Sequence, residues 1–124
     1  MKNIDQSILI IDDDNRNIFA LKMVLKSKKY ICYTATSYFE GLEILQKNED
    51  IKLILMDMMM PDIDGYQAIA KLKESEKMKA IPVIAITAQA MSGDKEKCLE
   101  VGADGYVSKP VDIDHLMVYI NKYL

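Results

Sequence analysis

Residues 7–14 read SILIIDDD, an apolar run that ends abruptly in three aspartates. The segment ILII is continuously apolar rather than alternating, as expected of a strand that is buried on both faces of a sheet. LILM at residues 53–56 and VIAI at residues 83–86 have the same character. Such strands belong to parallel sheets with helices on both sides, so these runs favour an α/β fold.

The rest of the chain repeats this unit. Five strand-like runs occur at residues 7–11, 31–35, 53–56, 83–86 and 105–107. Each is followed by a stretch with helical spacing of apolar residues, at residues 15–28, 37–47, 66–76, 91–101 and 113–123. Regular alternation predicts a parallel sheet with right-handed crossovers. With five strands the usual order is 2-1-3-4-5, so we predict a flavodoxin-like (βα)5 three-layer sandwich.

The composition is that of one ordered domain. The chain has 124 residues, 50% of them hydrophobic, and a net charge of −3, so we expect a single domain over residues 1–124. A balance of 16 basic and 19 acidic residues leaves no overall basic footprint for nucleic acid. The apolar runs are too short to span a membrane, and no signal peptide is visible. Cys32 and Cys98 fit neither a disulfide framework nor a zinc site, so we expect a cytoplasmic location.

Polar side chains stand where the predicted strands end. Asp12 and Asp13 follow the first strand, Asp57 the third, Thr87 the fourth and Lys109 the fifth. In an open parallel sheet, ligands bind outside the carboxyl ends of the strands. Strands one and three are neighbours in the predicted order, so the three carboxylates are expected to share one pocket.

These residue types together indicate phosphoryl transfer. Three neighbouring carboxylates repel one another unless a proton or a cation intervenes, and an oxygen-only cluster suits Mg²⁺. Beside that ion, Asp57 is a nucleophile that can form an acyl phosphate. Lys109 and Thr87 supply the positive charge and the hydroxyl donor that hold a transferring phosphoryl group.

Each residue also has a plainer explanation. One aspartate of residues 12–14 can cap the first helix, and Asp57 can be a turn residue. Thr87 can be an ordinary β-branched strand residue and Lys109 a surface lysine. Three aspartates in a row exceed what a cap needs, and all of these groups end at one edge of the sheet, so the sequence favours a site.

The motifs resemble a known family closely. IDDDNRN at residues 11–17, LILMDMMMPDIDGYQ at 53–67, PVIAITAQA at 82–90 and GADGYVSKPVD at 102–112 are similar to the response-regulator receiver (CheY-like) family. The resemblance covers the chain in order, and it is closest in style to the receivers of hybrid sensor kinases and to single-domain response regulators.

This resemblance implies a role for each matching position around the metal. Asp57 matches the phosphoacceptor, which receives its phosphoryl group from a phosphohistidine on a histidine kinase or a histidine phosphotransfer protein. Asp13 matches the direct Mg²⁺ ligand, Asp12 its partner acting through water, and Met59 the residue whose backbone carbonyl completes the metal site. Met59 and Gln89 occupy variable positions that influence the lifetime of the aspartyl phosphate.

The resemblance also implies a switch. Thr87 and Lys109 match the residues that contact the phosphoryl oxygens, and Tyr106 matches an aromatic that turns inward when Thr87 moves. The bond between Lys109 and Pro110 matches one that is usually cis. The expected readout face is helix four, strand five and helix five.

The partners implied are a phosphodonor and a downstream protein or fused output domain. We expect a monomer or a weak, phosphorylation-dependent dimer. Helix four is mostly polar, with Met91, Cys98, Leu99 and Val101 as its apolar anchors, so it is a candidate moving part.

Two other functions stay open at this stage. A Mg²⁺-dependent aspartyl-phosphate phosphohydrolase needs a second carboxylate two residues after its nucleophile, where this chain has Met59, and it needs a cap over the substrate. A pseudo-receiver that only binds partners is disfavoured by the complete set of polar residues. We therefore expect a phosphoacceptor rather than an enzyme, with self-directed phosphoryl transfer and autodephosphorylation only.

Overall fold

The computed structural model describes residues 6–88 and 93–124. Strands and helices alternate along this part of the chain in the order β1 (Ser7–Ile11), α1 (Asn15–Ser27), β2 (Ile31–Ala35), α2 (Tyr38–Lys47), β3 (Ile51–Asp57), α3 (Gly65–Glu74), β4 (Val83–Thr87), α4 (Asp94–Glu100), β5 (Gly105–Ser108) and α5 (Ile113–Tyr123). The predicted alternation is confirmed. β3 starts two residues earlier than predicted and ends on Asp57, and β4 ends on Thr87. α3 ends two residues earlier than predicted, and α4 lies within the predicted residues 91–101.

All five strands form one parallel sheet in the order β2-β1-β3-β4-β5. Ile11 pairs with Met56 across β1 and β3, and Asp57 pairs with Ile86 across β3 and β4. The predicted flavodoxin-like topology is therefore correct. Because parallel strands end at the same edge, the residues that follow β1 and those that end β3 lie side by side.

The sheet separates two apolar cores. On one face, side chains of β1, β3 and β4 pack against α1 and α5 through a cluster that includes Leu21, Leu25, Leu116 and Ile120. On the other face they pack against α2, α3 and α4. Leu9, Leu55 and Ile84 are completely buried. Burial on both faces accounts for the continuously apolar runs in the sequence.

Helix ends follow local chemistry. Asp14 caps α1 by accepting a hydrogen bond from the Arg16 backbone N–H at 2.9 Å. Ser37 caps α2, with its hydroxyl accepting from the Glu40 N–H at 3.1 Å, as the capping box predicted. The Glu40 carboxylate reaches back one residue further than in a standard box and accepts from the Thr36 N–H at 2.7 Å.

Among the residues of helix α4, Cys98 contributes most to packing against the sheet. Cys98 is completely buried, whereas Leu99 is 43% exposed, so the expectation that Leu99 anchors the helix is wrong. In a helix this short, only the residues facing the sheet can be buried, and Leu99 lies about 100° around the axis from Cys98. Gln89 and Met91 lie outside the described residues. Among the helices described, none is long and apolar enough to cross a membrane.

Substitution of Gly65 by alanine is expected to destabilise the protein. A Cβ at this position would lie 2.7 Å from the Met58 Cα and 2.8 Å from the Met58 carbonyl oxygen, where only backbone could yield. We expect Gly65→Ala to lower the free energy of unfolding in urea by about 1–3 kcal/mol, the usual cost of overpacking. The exposed Gln67→Ala on the same helix should change it by less than about 0.5 kcal/mol. Equal unfolding midpoints for the two variants would contradict the close contact.

Candidate functional site

Three carboxylates meet at the carboxyl edge of the sheet. Asp12 directly follows β1 and Asp57 ends the neighbouring β3, and each is only 2% exposed. Asp13 lies beside them and is exposed. One oxygen from each of the three carboxylates lies within 4.8 Å of the other two. The strand order predicted this cluster, because β1 and β3 are neighbours.

Lys109 joins two of these carboxylates. Its Nζ lies 3.2 Å from an Asp12 oxygen and 3.4 Å from an Asp57 oxygen. Burial disfavours the charged ammonium group, but the charges of Asp57 and Asp12 outweigh that effect and raise the pKa of Lys109. The Lys109–Pro110 bond is cis, as the resemblance implied.

Backbone and amide donors orient Asp12. Its Oδ1 accepts a hydrogen bond from the Asp14 N–H at 2.8 Å, and its Oδ2 accepts one from the Asn17 side-chain amide at 3.0 Å. Asn17 lies in the first turn of α1, which explains how a helix residue reaches the strand end. Asn17 was noted in the sequence only as part of a motif, and its contact with Asp12 was not predicted.

The environment of Asp57 destabilises its negative charge. Burial is the main cause that raises its pKa to about 6, and the Asp12 carboxylate and a hydrogen bond with Asp13 add to it. A hydrogen bond from the Met59 N–H at 3.1 Å and the charge of Lys109 act in the opposite direction. A single ammonium among three carboxylates leaves negative charge that a cation could balance. The all-oxygen donor set, with one exposed member, fits a hard ion such as Mg²⁺.

Thr87 ends β4 at the same edge. It is 2% exposed, and its carbonyl oxygen accepts a hydrogen bond from the Lys109 N–H at 2.7 Å. Thr87 pairs with Ser108 in the register between β4 and β5. The structure therefore brings Asp12, Asp13, Asp57, Thr87 and Lys109 to the same edge of the sheet. Asp14, in contrast, mainly caps α1, so the plainer explanation holds for that aspartate.

A second polar cluster lies beside the site, on α3, α4 and β5. The hydroxyls of Tyr66 and Tyr106 each donate a hydrogen bond to the Asp94 carboxylate, with 2.8 Å between Tyr106 Oη and Asp94 Oδ2. The Lys97 ammonium lies 4.2 Å from the centre of the Tyr66 ring. Sequence reasoning identified Tyr106 but missed Asp94 and Tyr66, since no spacing links residues from three separate elements.

Asp94 and burial both keep the two tyrosines protonated. The hydrogen bond to Asp94 is the main cause that raises the pKa of Tyr66 to about 12. For Tyr106, burial comes first and the hydrogen bond to Asp94 second, and both raise the pKa. A tyrosinate would lose the hydrogen bond and face the carboxylate charge, so each hydroxyl keeps its proton well above neutral pH.

Substitution of Asp94 by asparagine is expected to make Tyr66 easier to ionise. The amide keeps the shape of the carboxylate but removes its charge, so the pKa of Tyr66 should fall from about 12 towards its ordinary value. A spectrophotometric titration of tyrosinate absorbance would measure the change. The control is to introduce Asp94→Asn into Tyr66→Phe. The shift in absorbance that comes from Tyr66 should be missing there, because that residue no longer has a hydroxyl. Identical titrations of the wild type and Asp94→Asn would refute the assignment.

Comparison with known proteins agrees with this geometry. The family model described as "Response regulator receiver domain" matches residues 8–121. The polar-differentiation response regulator DivK of Brucella ovis is 32% identical over 119 residues, which cover 96% of each chain.

Two solved structures illustrate the similarity of the fold. A putative response regulator from Chloroflexus aurantiacus superposes with a TM-score of 0.88 at 29% identity, over 95% of this chain and 96% of that one. The receiver domain of Ssk1 from Saccharomyces cerevisiae, solved with the histidine phosphotransfer protein Ypd1, gives a TM-score of 0.85 at 26% identity, over 95% and 88% of the two chains. With its five-stranded fold and its acidic edge, the chain belongs to the response regulator receiver domain family, whose members are phosphoacceptor switches of two-component signalling.

Proposed function

We propose that Asp57 accepts a phosphoryl group from a phosphohistidine and that Asp12, Asp13 and Asp57 hold the Mg²⁺ that this step needs. The observation that supports this most directly is the position of Lys109, within 3.4 Å of both Asp12 and Asp57. Lys109 supplies positive charge beside Asp57, the carboxylate that ends the central strand β3.

The step is a transfer between two nucleophiles. An Asp57 carboxylate oxygen attacks phosphorus, the bond between phosphorus and the donor's imidazole nitrogen breaks, and the imidazole retains the electron pair and then takes up a proton. The product is an aspartyl phosphate. When bound, Mg²⁺ would offset the charge that builds up on the phosphoryl oxygens. The backbone carbonyl of Met59 is the proposed additional ligand.

Lys109 and Thr87 would hold the transferred group. An aspartyl phosphate carries nearly two negative charges and strong acceptor oxygens. In the structure Lys109 pairs with carboxylates, so the new phosphoryl oxygens offer it a stronger partner at the same place. The Thr87 hydroxyl is the proposed donor to a second oxygen. Later attack by water on phosphorus would break its bond to the Asp57 oxygen, release inorganic phosphate and restore the carboxylate. Autodephosphorylation would then be the only turnover.

A histidine phosphotransfer protein or a histidine kinase is the proposed donor. The receiver domain of Ssk1, which is similar to 95% of this chain, was solved in complex with the histidine phosphotransfer protein Ypd1. Asp13 and Met59 are exposed, Met59 by 49%, so a donor could contact this edge of the sheet beside the buried Asp57.

The proposed output surface is α4, β5 and α5. Movement of Thr87 towards a phosphoryl group would change the space beside Tyr106, whose hydroxyl contacts Asp94 at the start of α4. A change at the site would in this way reach the surface that a downstream protein or a fused output domain reads.

Phosphorylation by a small donor tests the first part of the proposal. Incubation with Mg²⁺ and acetyl phosphate should add the mass of one phosphoryl group to the intact wild-type protein, as seen by mass spectrometry. Asp57→Asn should gain none, because the amide is not a nucleophile of this kind. Asp62→Asn, an exposed aspartate five residues along the chain, is the control and should be labelled like the wild type. Equal labelling of Asp57→Asn would rule out the mechanism.

Magnesium binding tests the metal site separately from transfer. Mg²⁺ at about 100 times its dissociation constant should stabilise the wild type against urea by about 2.7 kcal/mol, since it binds only the folded state. Asp13→Asn should weaken Mg²⁺ binding by about tenfold or more.

The control for Asp13→Asn is its neighbour. Asp14→Asn removes the same charge one residue away, and asparagine caps a helix as well as aspartate does. Mg²⁺ should therefore stabilise Asp14→Asn nearly as much as the wild type. An equal loss in both variants would indicate a general charge effect and would contradict a specific site.

A further inference from the structure

One stretch of this acidic protein carries basic residues and no acidic ones. From Asn15 to Phe39 the chain contains no aspartate or glutamate, although it has 19 acidic residues in all. The same stretch contains Arg16, Lys22, Lys26, Lys28 and Lys29, five of the 16 basic residues. It comprises α1 and β2, so a net charge of −3 conceals a local excess of positive charge.

Three of these lysines surround a concavity. A cavity of about 410 Å³ lies between the carboxyl-terminal half of α1 and the edge strand β2. Its lining consists of Lys22, Lys26, Lys29, Tyr30, Ile31 and Cys32. We call this surface the α1–β2 cleft. It lies away from the amino-terminal end of α1, where Asp12 and Asn17 form part of the candidate site.

The charges of the cleft are not neutralised within the described part of the chain. Among residues 6–88 and 93–124, no acidic side chain forms an ion pair with Lys22, Lys26 or Lys29. Lys73, Lys79 and Lys109 have carboxylate partners in the same residues. Other exposed lysines there, such as Lys71 and Lys95, have none, so the cleft differs from them in gathering three lysines around one concavity. The cleft therefore presents positive charge that a second molecule can pair with.

Apolar side chains border the positive charge. Ile31 is 48% exposed and lies within the cleft, and Met23 on the outer face of α1 is 58% exposed. A strand at the edge of a sheet also offers unpaired backbone groups on its free side, and β2 is such a strand. A ligand that fits must then combine negative charge with some apolar surface.

From these observations we propose that the α1–β2 cleft binds an acidic segment of a partner protein, with carboxylates on Lys22, Lys26 and Lys29 and an apolar side chain against Ile31. Charge complementarity favours an anionic ligand, and the concave shape favours an inserted chain over a flat bilayer surface. The cleft is distant from Asp57, so this contact is independent of the phosphoryl chemistry and would add to the proposed donor and output surfaces.

The test uses the full chain and a defined probe. The probe is a short, fluorescently labelled peptide of repeating Glu-Glu-Leu with blocked ends. Anisotropy measures its affinity, and NMR amide shifts show where it binds. Shifts concentrated in residues 22–33 are expected, together with weaker binding at higher salt, because the pairs are exposed and are screened. A Gln-Gln-Leu peptide should not bind.

Two variants with equal charge change separate a site from general attraction. The combined variant Lys22→Gln, Lys26→Gln and Lys29→Gln should bind the acidic peptide about tenfold more weakly than the wild type. The control variant Lys71→Gln, Lys95→Gln and Lys122→Gln removes three exposed lysines elsewhere and should bind nearly as the wild type does. Both should be phosphorylated by acetyl phosphate as the wild type is, so failure of this proposal is distinguishable from failure of the proposed function.

Three results would overturn the proposal. Equal loss of affinity in both variants would mean non-specific attraction. Binding to phosphatidylcholine vesicles containing phosphatidylserine, with no binding of the peptide, would identify a membrane-contacting surface instead. If the cleft variant self-associates in sedimentation while its peptide affinity is unchanged, the lysines serve only to protect the edge strand from pairing.

Discussion

The ion pairs that Lys109 makes with Asp12 and Asp57 balance the charge at the carboxyl edge of the sheet. Two carboxylates that are each 2% exposed would be costly side by side without a counter-charge. Lys109 can reach both only because β1, β3, β4 and β5 are consecutive in the sheet and end at the same level. The apolar packing on both faces is therefore a condition for the chemistry, since it fixes the strand order that places these charges together.

The site and the surface beside it share the same strands. Lys109 follows β5, and Tyr106 lies within it, with its hydroxyl on Asp94 of α4. Helix α4 has few apolar contacts, because Leu99 faces solvent and Cys98 alone among its residues is buried. Polar contacts to Asp94 thus contribute more to its position than they would in a well-buried helix. The α1–β2 cleft lies on the opposite flank, beside the edge strand β2. The proposed phosphoryl-transfer site, the helix contacted by the tyrosines and the basic surface therefore occupy separate places on the protein.

Short sequence patterns predicted the strands, the helix starts and the polar strand ends, which depend on residues near one another in the chain. The apolar runs around Leu9 and Leu55 indicated buried strands, and Ser37 with Glu40 indicated a helix start. Polar residues at strand ends indicated the site. A contact between distant elements could not be predicted this way: the pairing of Asp94 with Tyr66 joins α3 to α4. The contact between the Asn17 amide and Asp12 spans only five residues but was also missed, because it depends on how the chain turns from β1 into α1. Exposure of Leu99 was missed because an apolar residue on a short helix can face either side.

By itself the sequence determined the α/β class, the number of strands and which side chains end them. These features follow from the spacing of apolar and polar residues within single strands and helices. The tertiary structure decided which of those side chains touch. It brought Asp12, Asp57 and Lys109 together, assigned Asp14 to a helix cap, and gathered three lysines into a cleft despite a net charge of −3. The first of these outcomes depends on distances between segments far apart in the chain, which only packing of the sheet and helices sets. The cap and the cleft involve residues close in sequence, but which aspartate caps α1 and which lysines converge depend on how the chain turns at each end of that helix.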